Sequence, residues 1–143
     1  MTIFYRDGYR GQLAKTAIFQ CPYELHPPNS IYTEFIRLDC LGEMTIRSGY
    51  AWDYASGPTF DANWMPGHKK AKTPSLIHDC FCQLIRQGLM DDVQDARKHA
   101  DKFFYQLLLD RKFWKPRAWL WYRGVRIGAK SNEQKPKPIL EAP

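Results

Sequence analysis

Three side chains carry the most pointed chemistry of this 143-residue chain: His78, Asp79 and Asp101. A neutral imidazole takes a proton from water when a carboxylate holds its other nitrogen, because that contact selects the tautomer and the ring orientation. Asp101 fills this role if its segment lies beside that of His78. Asp79, one step further round, points a different way and offers oxygen to a hard cation. Calcium takes about six to eight oxygens, from carboxylates and from loop carbonyls. The stretch ahead of His78 supplies Asp53 and Asp61, with Gly57 to let carbonyls turn inward. An ion there would stabilise an oxyanion and orient an ester carbonyl. The same residues also read as a buried polar network tying two helices to a loop, since buried polar groups must be paired. Access decides between them: an open apolar channel to His78 favours catalysis, and burial behind Trp52 or Trp64 favours structure.

The elements that must position these groups are helices. Thr73-Pro74 supplies an N-cap and a proline at the first helical position, and Gly88 ends the segment. Within it Leu76, Ile77, Cys80, Phe81, Leu84 and Ile85 form one broad apolar face, with His78 at its edge. A second helix starts with Asp91 or Asp92 as cap. It carries Val93, Ala96, Ala100, Phe104, Leu107 and Leu108 on one face, which puts Asp101 at the flank of that face. Two helices joined by a short turn pack antiparallel, so His78 and Asp101 come within reach. Pro116 opens a third helix, Arg117 to Gly128, rich in tryptophan and arginine.

The first half reads as β. Ile36, Leu38 and Cys40 alternate with polar residues, as do Met44 and Ile46, and Leu41-Gly42-Glu43 joins them in a hairpin. An earlier strand spans Ala14 to Phe19, and Pro22 to Asn29 is a loop because Pro27-Pro28 forbids a central strand. Gly49 to Thr73 is irregular and long, so it is a structured loop, anchored by Trp52, Tyr54, Phe60 and Trp64. The expectation is an α+β fold: a single domain over residues 1–129, β-rich over residues 1–48, with a structured loop over 49–73 and a helical region over 74–129. A polar, proline-punctuated tail over 130–143 is expected to be flexible.

Composition narrows the classes. The chain is 44% hydrophobic and 25% charged, as folded domains are. A net charge of +6 favours anionic partners without choosing among nucleic acid, lipid headgroups and acidic protein surfaces. Nucleic acid is disfavoured, because no helix-turn-helix, zinc-finger or RNA-recognition motif is present. No stretch approaches the roughly 18 consecutive apolar residues of a spanning helix. The start, Met1-Thr2-Ile3-Phe4-Tyr5-Arg6-Asp7, has no signal-peptide pattern, so synthesis in the cytoplasm is expected. Cys21, Cys40, Cys80 and Cys82 contain no CxxC and read as reduced, with Cys80 a small core residue.

Over Gly49 to Gly128 the chain resembles a phage-associated family known only as domain of unknown function 1353. The resemblance is carried by Trp52-Asp53-Tyr54-Ala55-Ser56, then Pro74-Ser75-Leu76-Ile77-His78-Asp79, then Ala100-Asp101-Lys102-Phe103-Phe104, and a closing helix like Trp119 to Gly128. Where members carry a tyrosine a few residues after His-Asp, this chain has Phe81-Cys82. The same order is similar to the small bacterial secreted phospholipases of the A₂ class. That similarity implies a three-helix phospholipase-like core with calcium held by Asp53, the carbonyl of Tyr54 and Asp79. It also implies His78 as the base and Asp101 as its partner. The activity implied is calcium-dependent hydrolysis of phospholipid acyl esters as a phage enters or lyses its host, with anionic membrane lipid as partner. Trp119, Trp121, Arg117, Arg123 and Arg126 would then suit an interfacial surface. The alternative is a non-enzymatic virion component, such as a tail or tail-tip protein, whose partners are other phage virion proteins.

Overall fold

The computed structural model describes residues 3, 5–6, 11–52 and 72–133. The candidate calcium ligands Asp53 and Tyr54 therefore lie outside the described residues. So do Asp61, Gly57, Phe60, Trp64 and the chain beyond Glu133. Among the described residues two antiparallel sheets precede three helices, an α+β arrangement.

The first sheet joins β1 (Tyr5–Arg6), β2 (Gly11–Leu13) and β7 (Ala51–Trp52) in that order. The second holds β3 (Ala17–Gln20), β6 (Glu43–Ile46), β5 (Ile36–Leu38) and β4 (Ile31–Tyr32). Alternation sets the inward face: Ala17 and Phe19 on β3, Ile36 and Leu38 on β5, and Met44 and Ile46 on β6 are buried. Register places Ile36 opposite Ile46 and Leu38 opposite Met44, so the apolar sets coincide on one face. Gly42 turns the β5–β6 connection at φ +84°, and a Cβ there would run into the His26 ring. The expected strand Ala14 to Phe19 begins three residues later, at Ala17. Leu13 belongs instead to β2, where its carbonyl accepts from Gly49 N–H and its own N–H donates to the Tyr50 carbonyl.

Helix α1 runs Lys72–Arg86, α2 Val93–Asp110 and α3 Lys115–Glu133. Proline sits in the first turn of both α1 (Pro74) and α3 (Pro116), where its missing N–H costs nothing. Gly88 closes α1 with φ +72°, as Leu89 N–H donates back to the Leu84 carbonyl in a Schellman arrangement. Asp92 caps α2, accepting from the Asp95 N–H at 3.2 Å. Helix α3 continues past Gly128, where the sequence pattern ends it, and takes in the first residues of the expected tail.

One apolar cluster gathers the inner faces of both sheets, Tyr50, Trp52 and the α1 residues Leu76, Ile77, Cys80, Phe81 and Leu84. A second joins α2 to α3 through Phe104, Leu108, Phe113, Ala118 and Trp121. Trp121 is thus a core residue, which removes it from the interfacial set; Trp119 remains exposed, with Arg123 stacked on its ring at 5.6 Å. Among the described residues no helix is long and apolar enough to cross a membrane.

Candidate active site

The polar residues of α1 lie on the border of the first cluster. Trp52, at the end of β7, sends its indole N–H to Ser75 Oγ at 3.2 Å, and Ser75 in turn donates to the Lys72 carbonyl at 2.8 Å. Tyr50, just before β7, donates its hydroxyl to Asp79 Oδ2 at 2.7 Å. These bonds dock the sheet edge on the first turns of α1. Asp79 diverges from His78 as expected, but one of its oxygens is engaged by Tyr50, a contact that no sequence pattern signals. Among the described residues no group of three His, Cys, Asp or Glu side chains converges as a metal site.

His78 and Asp101 do meet. His78 Nε2 and Asp101 Oδ1 are 2.5 Å apart, a short charge-assisted contact. Asp101 is fully buried and binds three partners from three helices: His78 of α1, Arg97 Nε of α2 at 3.2 Å, and Arg126 Nη1 of α3 at 2.8 Å. Burial pushes the Asp101 carboxyl up, but His78 and then the two guanidinium groups outweigh it and hold it below the usual carboxylate range. A nitrogen facing this carboxylate carries the proton, so Nε2 donates and Nδ1 is the accepting atom of the neutral ring. His78 keeps 12% of its side chain exposed. Its ring leans on Phe104, with centroids 5.2 Å apart. An open cavity near His99 and Phe103 and another near Phe35 and Gln83 are lined by described residues other than His78.

The Cys82 sulfur, one helical turn along α1, lies beside the ring at 3.6 Å from Nδ1 and 4.0 Å from Nε2. Arg126 appears here as a partner of Asp101, which corrects its expected place on an interfacial surface. Arg97 stands four residues before Asp101 on α2, a spacing that marks helix neighbours. Nothing local in the sequence marks Arg126, which reaches the site only because α3 packs against α2.

The ring and the thiol titrate against each other. Burial pushes His78 down, but the charge of Cys82 and the bond to Asp101 outweigh it, and the imidazolium persists to about 9. Burial raises the Cys82 thiol, and His78 followed by Arg97 brings it below its ordinary value. A base raised this way stabilises the fold fully below its unfolded value of 6.5 and loses that contribution as pH climbs through about 9. The depressed thiol works in the opposite sense: its contribution is present above 9.0 and fades as pH falls through the folded value. Below 9 the two slopes oppose wherever the windows overlap, so the thiol offsets part of the stability that His78 loses as pH rises. NMR of the ring protons should place the His78 midpoint about 9. In Cys82→Ala it should fall by at least about one pH unit, since the thiolate charge is the largest influence raising it. A wild-type midpoint near 6.5 would contradict the pairing.

A family model described as "Protein of unknown function (DUF1353)" matches residues 32–125, a span that takes in His78, Asp79, Cys82, Arg97 and Asp101. No curated protein and no solved structure matches the chain.

Proposed function

Since the chain belongs to the DUF1353 family, whose description assigns no activity, we propose from the site's chemistry that it is a hydrolase of acyl esters. The observation that carries this reading is the 2.5 Å contact between His78 Nε2 and Asp101 Oδ1, which leaves Nδ1 as the proton acceptor. In this role the neutral form of His78, which gains population as pH climbs toward about 9, takes a proton from the attacking group and later returns it to the departing alkoxide. Asp101 holds the ring in the productive tautomer and balances the imidazolium, while Arg97 and Arg126 keep Asp101 ionised.

The finer reading is calcium-dependent cleavage of phospholipid acyl esters by a phage-encoded protein, as the phage enters or lyses its host. Asp79, with Asp53 and the carbonyl of Tyr54, would hold the ion; a carboxylate pair plus a backbone carbonyl is the hard-oxygen donor chemistry that calcium takes. When bound, calcium supplies positive charge to an ester carbonyl oxygen. The exposed Trp119 and Leu120, beside the exposed Arg123, suit contact with an anionic lipid surface.

A second reading, a structural component of the virion, is favoured by one observation: Asp101 is fully buried and held by two guanidinium groups as well as His78. Such a knot would fasten three helices without any chemistry. Anionic phospholipid vesicles separate the readings. Fatty acid release that needs calcium and stops on chelation is the expected result. No release from any headgroup class, together with no calcium heat in calorimetry, would leave the structural reading in possession.

A further inference from the structure

Of the four cysteines, Cys82 alone is placed against the imidazole that the acyl-transfer reading uses. Its sulfur lies beside the ring, 3.6 Å from His78 Nδ1 and 4.0 Å from Nε2, and Nε2 also engages Asp101. Sulfur, imidazole and carboxylate thus form one contiguous group, with the sulfur nearer Nδ1 and the carboxylate on Nε2. That is the arrangement in which a base activates a nucleophile and a third group orients the base. We propose that Cys82 is the nucleophile of a Cys82–His78–Asp101 triad that carries the acyl group of an ester as a thioester. The inference rests on the proposed acyl-transfer role of His78 and replaces water with the Cys82 sulfur as the first attacking group.

The helix makes the arrangement rigid. His78 and Cys82 are four residues apart on α1, so their side chains share a face, and Asp101 approaches from α2. The other buried thiols differ: Cys21 is pushed up to about 12, chiefly by burial, and Cys80 is pushed up by burial and then by Asp79. Both stay protonated and unreactive. Cys82 shifts the opposite way because His78 and Arg97 face it.

The chemistry balances with an ester and water alone. The Cys82 thiol gives its proton to Nδ1, and the sulfur attacks the ester carbonyl carbon. As the C–S bond forms and the ester C–O bond breaks, His78 passes the proton to the departing alkoxide, which leaves as the alcohol. Water then gives a proton to Nδ1 and attacks the thioester carbon. The acid is released, and the sulfur regains its proton from His78. No electrons are transferred to or from any outside group.

Cys82 is only 4% exposed, so small electrophiles are the probes that can reach it. The native chain, its Cys82→Ala and Cys82→Ser variants and His78→Gln are compared, with circular dichroism showing that each is folded. p-Nitrophenyl butyrate, quenched in acid and analysed by mass spectrometry, should leave a butyryl group on Cys82 that hydroxylamine removes. Hydrolysis should fall at least about 100-fold in Cys82→Ala and Cys82→Ser. Iodoacetamide should label native Cys82 at least about tenfold faster in wild type than in His78→Gln, with the exposed Cys40 as internal standard.

Full hydrolysis by Cys82→Ala without any adduct in wild type would overturn the nucleophile. If His78→Gln has lost hydrolysis in that case, the base reading survives and water attacks directly. Labelling of Cys82 that does not depend on His78 also overturns the nucleophile, whatever the esterase result. Should no ester be turned over and no adduct form while labelling remains dependent on His78, the thiol is activated by the ring but carries no acyl group, and the proposal falls together with ester hydrolysis.

Discussion

Asp101→Ala is expected to cost about 3–5 kcal/mol of folding stability, the range for deleting one member of a buried charged cluster. The reason lies in what remains. Asp101 is fully buried and collects His78, Arg97 and Arg126 from three helices; without its carboxylate, three cationic or donor groups face one another around a hole. Some of the loss is recoverable, because Arg126 keeps 27% of its side chain exposed and can turn toward water. His78 and Arg97, each at 12%, have less freedom. Asp101→Asn preserves shape and some hydrogen bonding while removing the charge, so its cost should be smaller. Urea unfolding of both variants at neutral pH checks the order. A loss under about 1 kcal/mol for Asp101→Ala would mean that the three helices are held by apolar packing alone.

How far this cluster can be read from sequence follows from how local each contact is. The boundaries of α1 and α2 rest on Pro74, Gly88 and Asp92, residues whose backbone preferences act within one turn, and the helices lie where those residues put them to within a residue or two. The meeting of His78 and Asp101 is legible too. Each sits beside an apolar stripe, and two stripes that must bury against each other bring their flanks together. Tyr50 on Asp79 is not legible, because it depends on β7 pairing with β2 and turning its end onto α1. Arg126 and Trp121 depart from their expected settings for the same reason. A helix rich in arginine and tryptophan shows its composition in sequence but not its rotation, which here is set by Ala118 and Trp121 packing on Phe104, Leu108 and Phe113. The extension of α3 through Lys130 to Glu133 runs against a polar composition that signals a tail, yet nothing in those four residues forbids a helix.

His78→Gln is expected to lower the turnover of any ester the wild type hydrolyses by about 10²–10⁴-fold, the usual share of a positioned general base. Glutamine suits the test because its amide N–H can still donate to Asp101, leaving the cluster partly satisfied and the fold in place. What it cannot do is take up a proton. Asp101→Asn attacks the same function from the other side of the ring. An amide N–H₂ directed at Nε2 forces the imidazole proton onto Nδ1, which disables the accepting atom while leaving every other residue of the helix pair present. The two variants should therefore lose turnover together even though Asp101→Asn loses more stability, and that divergence is what informs. If the cluster were only a clamp, residual activity would follow stability across the series, and lowering the temperature would restore His78→Gln and Asp101→Asn alike. If it performs general base catalysis, cooling restores the fold of Asp101→Asn without restoring its rate. Turnover of both variants measured against temperature, beside their melting curves, reads this directly; wild-type rates in folded His78→Gln would remove the imidazole from the chemistry altogether.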